Sequence, residues 1–327
     1  MRSFLLSLCI ALALWSAVAQ AQHPTTRTVV PWGKKPGALA YVPQGSAGGR
    51  LQNGPSSLRV GPDGDIFVLD TLASKVERFA PDGTHRRSIG FPSTDRHDAE
   101  RLCVDLALTR DGGMVLLDRQ SRTVLVLDRD GRMRAEVQVP IGGRRLPLLW
   151  AVDADRAGRL SVFDASDNSV IRFLRSGAMV GSARSDLAAS LVMERDGRFV
   201  GLKVPSRENA RTLEIWRDDP FARKRDLVAR VSSRSEVAIW KLVGIDAAGR
   251  LFLETAAGAG DAPVRRSVHA LSPDGKWLAK VPAPDEPVGL SMVRSSAVAP
   301  DGTVVFARPT GKGLLLERLT VVAAGGR

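Results

Sequence analysis

The 327-residue chain has two cysteines, four histidines and one tyrosine, and Phe, Trp and Tyr together make up 5% of it. Each shortage excludes something. Cys9 lies in an apolar N-terminal run and Cys103 is the only other thiol, so cleavage of that run leaves no partner for an intrachain disulfide. His23, His85, His97 and His269 are scattered, with no H-x-x-x-H, no cysteine pair and no G-x-S-x-G, so zinc and serine-hydrolase templates lack their parts. Anionic side chains are also in deficit: 35 Asp and Glu stand against 47 Lys and Arg.

What is present begins with MRSFLLSLCIALALWSAVAQAQ. Arg2 precedes an apolar run from Phe4 to about Val18, and Ala19-Gln20-Ala21 or Ala17-Val18-Ala19 supplies a small-x-small cleavage site, the pattern of a secretory signal peptide. The run falls short of the ~20 residues that span a bilayer, and Leu8 before Cys9 is not the small residue a lipidation site wants. The expectation is a signal peptide at 1–21, a mature chain at 22–327 in the periplasm or outside the cell, and no transmembrane segment. Only nine of the 47 cationic residues are lysine, and the arginines recur at turns and strand ends throughout, which reads as a spread excess rather than one patch. Arg223-Lys224-Arg225 is the local exception, with Asp218 and Asp219 close enough to pair with it. No basic strand interleaved with aromatics occurs, so nucleic acid is not an expected partner.

The chain is organised around Pro55 to Gly90, PSSLRVGPDGDIFVLDTLASKVERFAPDGTHRRSIG. Short alternating apolar runs separated by Asp-Gly turns predict an antiparallel sheet of three or four strands. A shift of 48 residues lays Leu106, Leu108, Asp111, Gly112, Asp118, Val124, Leu127, Asp130 and Gly131 on Leu58, Val60, Asp63, Gly64, Asp70, Val76, Phe79, Asp82 and Gly83. The series continues through turn glycines 158, 197, 249 and 302. One small sheet cannot bury both faces alone, so six such units predict an all-β, six-bladed β-propeller of four-stranded antiparallel blades, one domain in all.

The pattern P-x-x-L-x-V-x-P-D-G-x-I-x-V-x-D, followed by a third apolar strand and another D-G, resembles the NHL-repeat six-bladed propellers and, more distantly, the gluconolactonase-like ones. The resemblance covers about residues 40–322 and implies fold, not function, because such propellers include scaffolds, ligand binders and hydrolases. Lactonases of that type set Asp, Asn or Glu ligands for calcium eight residues before the turn glycine. Here that offset holds Ser56, Val104, Trp150, Ala189, Lys241 and Arg294, without one carboxylate. A register slip in unit two would bring Asp105 forward. The His and Glu pair of streptogramin-lyase-like propellers is not found either. No metal or cofactor is expected.

Unit six shows three apolar strands and no fourth, so a segment within residues 27–43 is expected to close the ring as its outer strand. Asp70, Asp118 and Asp164, each six residues after a turn glycine, are expected to cap turns in their own blades rather than share a metal. Asp155, Glu194 and Asp246, three before the glycine, are expected to form ion pairs or caps. Trp216, Trp240 and Trp277 are expected to pack between blades. Units four and five depart most from the repeat, at 204–211 and 255–263, where loops are expected. Cys103 is expected to be inert in an inner strand.

If the eight-before-glycine positions ring one channel mouth, Ser56, Trp150, Lys241 and Arg294 make an aromatic and cationic site for an anionic or carboxylate-bearing ligand. The alternative places Trp150 in packing and the two cations in solvent. The functional expectation is a monomeric binding or scaffold propeller that recognises a protein partner or an anionic envelope ligand through one face. The other reading is a lactonase-like hydrolase or a lyase working at the channel mouth.

Overall fold

The computed structural model describes residues 25–42, 54–92, 101–140, 148–205, 212–232, 237–257, 265–284 and 292–321. The expected signal peptide, His23, His97 and most of the loops at 204–211 and 255–263 lie outside them. Six four-stranded antiparallel sheets form the blades of a β-propeller, and each inner strand packs on the inner strand of the next blade until the sixth meets the first. The inner strands are Ser57–Val60, Cys103–Leu108, Leu149–Ala154, Ala188–Met193, Val237–Ile245 and Ser296–Val298. Thr255 to Ala257, read from sequence as loop, instead extend the second strand of blade five, Leu251–Ala257.

The turn glycines 64, 112, 158, 197, 249 and 302 all hold positive φ, between 78° and 90°, where a side chain would be strained. Apolar residues alternate onto the faces between blades. One continuous cluster joins Val104, Val115 and Val124 of blade two to Leu149, Val162 and Phe173 of blade three.

The ring closes as expected, through Thr25–Pro31 paired antiparallel with Gly313–Thr320 at the outer edge of blade six. The pairing starts two residues before the expected segment. Val30 and Leu39 are buried in the core between blades six and one, and Trp32 donates its indole N–H to the Thr310 carbonyl at 2.9 Å.

Asp70, Asp118 and Asp164 cap turns in their own blades. Asp118 accepts from the Gln120 N–H at 3.0 Å, and Asp164 from the Ser166 N–H at 2.9 Å. Each also reaches a second backbone N–H from a preceding segment, at Ala40, Leu102 and Leu148 respectively. Cys103 is fully buried, and burial pushes its thiol well above the ordinary range. One tryptophan departs from expectation. Trp277 is 49% exposed on the outer strand of blade five and packs its ring against His269 at 4.8 Å, because outer strands face solvent rather than a neighbouring blade.

His269 is buried, with Nε2 at 2.9 Å from the Thr255 hydroxyl and the other ring nitrogen without a hydrogen-bond partner among the described residues. Burial, helped by Lys280, pushes its pKa down to about 4. In the unfolded chain a histidine titrates near 6.5, so between these values the unfolded state binds the extra proton. The neutral ring's contribution is complete above about pH 6.5 and is lost as pH falls through 4, on the order of 3 kcal/mol at most. Asp70 works in the opposite sense, since burial raises its carboxyl to about 6. His269→Phe should therefore show a smaller drop in urea midpoint from pH 7.5 to pH 4.5 than the parent; equal drops would contradict the assignment.

Candidate ligand site in the channel

The inner strands carry irregularities that the repeat spacing hides. Pairing skips a residue between Cys103 and Asp105 in blade two, and between Leu149 and Ala151 in blade three. A bulge turns the following side chain to the other face of the sheet. Asp105 lies on the turn side of the skip and pairs with Leu117 in the register that Ser57 keeps with Leu69 in blade one, while blade three contributes Asp153.

Asp105 is fully buried and accepts from the Ser57 hydroxyl at 2.6 Å and the Val152 N–H at 2.9 Å. The Arg294 Nε lies 3.2 Å from both its oxygens. Arg59 is 3.8 Å from Asp105 and 3.6 Å from Asp153, and Arg294 is 3.8 Å from Asp153. Two guanidiniums and two carboxylates thus alternate around the channel, each group facing both opposite charges. Arg59 further donates to the Leu106 and Val152 carbonyls. Burial pushes the Arg59 guanidinium down, and Arg294 beside it adds to this. Burial also works against the charge of Arg294, but Asp105 and Asp153 outweigh it and hold that group above its ordinary value.

The four residues picked from sequence have unequal places around this cluster. Arg294 belongs to it, bridging to Ser57 in parallel pairing, with its charge balanced by Asp105 and Asp153. Ser56 is fully buried and bonded to the Thr71 hydroxyl at 2.7 Å and the Cys103 carbonyl at 3.3 Å. Lys241 is half-buried and its Nζ lies 3.3 and 3.2 Å from the Ser295 and Ser296 hydroxyls, one strand start away from Arg294. Trp150 is 38% exposed, with the Arg119 guanidinium 5.5 Å from its ring. Among the described residues no three His, Cys, Asp or Glu converge as metal ligands. Asp105 and Asp153 do not fit a calcium cage, because each already faces two guanidiniums.

At the other end of the inner strands a cavity of about 330 Å³ is lined by the first turns of all six blades. Four residues before the turn glycine, every blade contributes an apolar, half-buried side chain: Val60, Leu108, Ala154, Met193, Ile245 and Val298. These form a collar. Two residues before the glycine the blades differ, and the rim is divided. Blades two, three and four place Arg110, Arg156 and Arg195 there, all exposed, whereas blades five, six and one place Ala247, Pro300 and Pro62.

The acids around this rim are engaged, as expected for the three-before-glycine set. Asp155 holds Arg159 at 2.6 Å, Glu194 holds Arg217 at 2.8 Å, and Asp246 is paired with Arg250. Asp111 is paired with Arg175 at 2.8 Å and Asp196 with Arg198 at 2.7 Å. No ion pair within 4 Å is formed by Arg110, Arg156 or Arg195 among the described residues. The signal for this rim was present in the sequence at a second offset from the glycine, but it was submerged in the general arginine excess. The basic run at 223–225 differs: Arg225 is paired with Asp186 and Asp218, and Lys224 lies 3.8 Å from Asp226.

No family model matches the chain, and no curated protein matches it. Solved structures do resemble it. A member of the DUF4221 family from Bacteroides vulgatus aligns at TM-score 0.61 and 9% identity, covering 91% of this chain and 96% of that one. A putative gluconolactonase aligns at 0.52 and 14%, over 92% and 94%. A streptogramin B lyase aligns at 0.51 and 11%, over 91% and 98%. At such identities the likeness is one of fold: a six-bladed propeller shared with lactonase- and lyase-like proteins.

Proposed function

We propose that this chain is a binding propeller of the NHL-like type, exported to the periplasm or beyond, that recognises an anionic envelope ligand or a protein partner through one face of its ring. The observation that carries the reading is the alternating ring of Arg59, Asp105, Arg294 and Asp153. The acids and bases there hold one another, so none is left as a general base or a metal ligand, and the charge across the channel is compensated. Arg110, Arg156 and Arg195, which form no ion pair among the described residues, sit instead at a mouth, where they recognise rather than react. A hydrolase or lyase reading has the fold likeness in its favour and needs a reactive group that the cluster does not supply.

Thermal unfolding of the protein from residue 22 onward, run with calcium, EDTA, lactones and small polyanions, tests this together with a lactone-hydrolysis assay. A ligand at a hundred times its dissociation constant adds about 2.7 kcal/mol to the native state. The expected result is a raised midpoint with an anion and no turnover. A calcium-dependent rise abolished by EDTA, or lactone hydrolysis, would overturn the proposal.

A further inference from the structure

The divided rim points to a ligand with two chemically different halves. We propose that the cavity at the turn end of the channel binds an amphipathic organic anion. Its carboxylate or phosphate would be held by Arg110, Arg156 and Arg195 and its apolar body would sit in the collar below. The inference rests on the binding reading above and specifies the mouth and the ligand class.

Three features carry it. The first is charge that the described residues leave unpaired: every carboxylate next in sequence to the three arginines already holds another arginine, so an anion from outside meets three guanidiniums without having to displace one of these acids. The second is asymmetry. A free inorganic anion would be served by the arginines alone, but the collar beneath them is apolar in all six blades and the facing rim is Pro62, Ala247 and Pro300. The third is rigidity. Neighbouring turns are bonded across blades, Arg156 N–H to the Arg195 carbonyl at 2.8 Å and Ala247 N–H to the Pro300 carbonyl at 3.1 Å. The platform is therefore organised before the ligand arrives. The floor adds selectivity. The Arg59–Asp105–Arg294–Asp153 cluster begins one residue below the collar and offers an incoming head group no net charge to pursue deeper.

Isothermal titration of the protein from residue 22 onward with octanoate, octanol and inorganic phosphate tests this. Octanoate is expected to bind with one site per chain and at least about tenfold more tightly than either comparison ligand, each of which offers only half of the chemistry. The triple variant R110Q/R156Q/R195Q, at exposed positions, is expected to keep the parent's melting temperature and lose roughly a hundredfold in octanoate affinity. Met193→Asp places a carboxylate in the collar and is expected to weaken octanoate by about tenfold or more. The proposal is overturned if octanoate does not bind, if it binds the triple variant as tightly as the parent, or if octanol or phosphate binds equally well. Its failure is separable from that of the binding reading. Anion binding that survives in the triple variant overturns this site and spares that reading, whereas lactone turnover with octanoate still held by the arginines does the reverse.

Discussion

Asp105→Ala is expected to destabilise the protein by about 3–5 kcal/mol, because it removes a fully buried carboxylate and leaves two half-buried guanidiniums facing one carboxylate across the channel. The side chain removed is fully buried and holds the Ser57 hydroxyl and the Val152 N–H of two inner strands together with Arg294, just before a third. The urea midpoint should fall with little change in slope, since the native fold rather than the surface exposed on unfolding is affected. Asp105→Leu combined with Arg294→Leu separates charge from packing. That double variant should recover most of the loss, because apolar replacement of a buried ion pair is often neutral or better. A loss below about 1 kcal/mol for Asp105→Ala would mean that the pairing is worth no more than a surface salt bridge.

Removal of the closing strand should have an effect at least as large. Chains that start after Trp32 lose the pairing of Thr25–Pro31 with Gly313–Thr320, the ion pair of Arg27 with Glu317 at 2.7 Å, and the burial of Val30. They would also expose the edge of Gly313–Thr320, a template for pairing with another chain. The truncated protein is expected to aggregate or to unfold without a cooperative transition, whereas Val30→Asp in the full-length protein should lower the midpoint strongly but leave the transition cooperative. A truncated chain that stays monomeric with the parent's melting temperature would show that blade six is stable with three strands.

The propeller was legible because its causes are local. Asp-Gly turns at one spacing, with apolar alternation between them, give blades, and the missing fourth strand of the last unit announces closure from the opposite terminus. The channel was harder to read. Counting back from each turn glycine assumes an unbroken ladder, and the skipped pairings before Asp105 and Ala151 break it. That is why the count of eight fell on Val104 and Asp105 came up only as a possible slip; Arg59 and Asp153, which complete the charge cluster, each lie five residues before a turn glycine in unbroken pairing, an offset that the count of eight passes over. Arg294 was found by position, but its partner lies 189 residues away, and a sequence offset does not say that a cation is neutralised. The arginine rim was missed for a different reason: its meaning lies in the contrast between blades two to four and the other three at one offset, and in the prior commitment of the neighbouring acids.

The most direct test of the account is a crystal structure of the protein grown with octanoate. The prediction is a carboxylate about 2.8 Å from the guanidiniums of Arg110, Arg156 and Arg195, with the tail in the six-residue collar and the Arg59–Asp105–Arg294–Asp153 pairs intact beneath it. Octanoate bound instead between Trp150 and Lys241 at the opposite mouth, or those pairs opened around a cation, would contradict it.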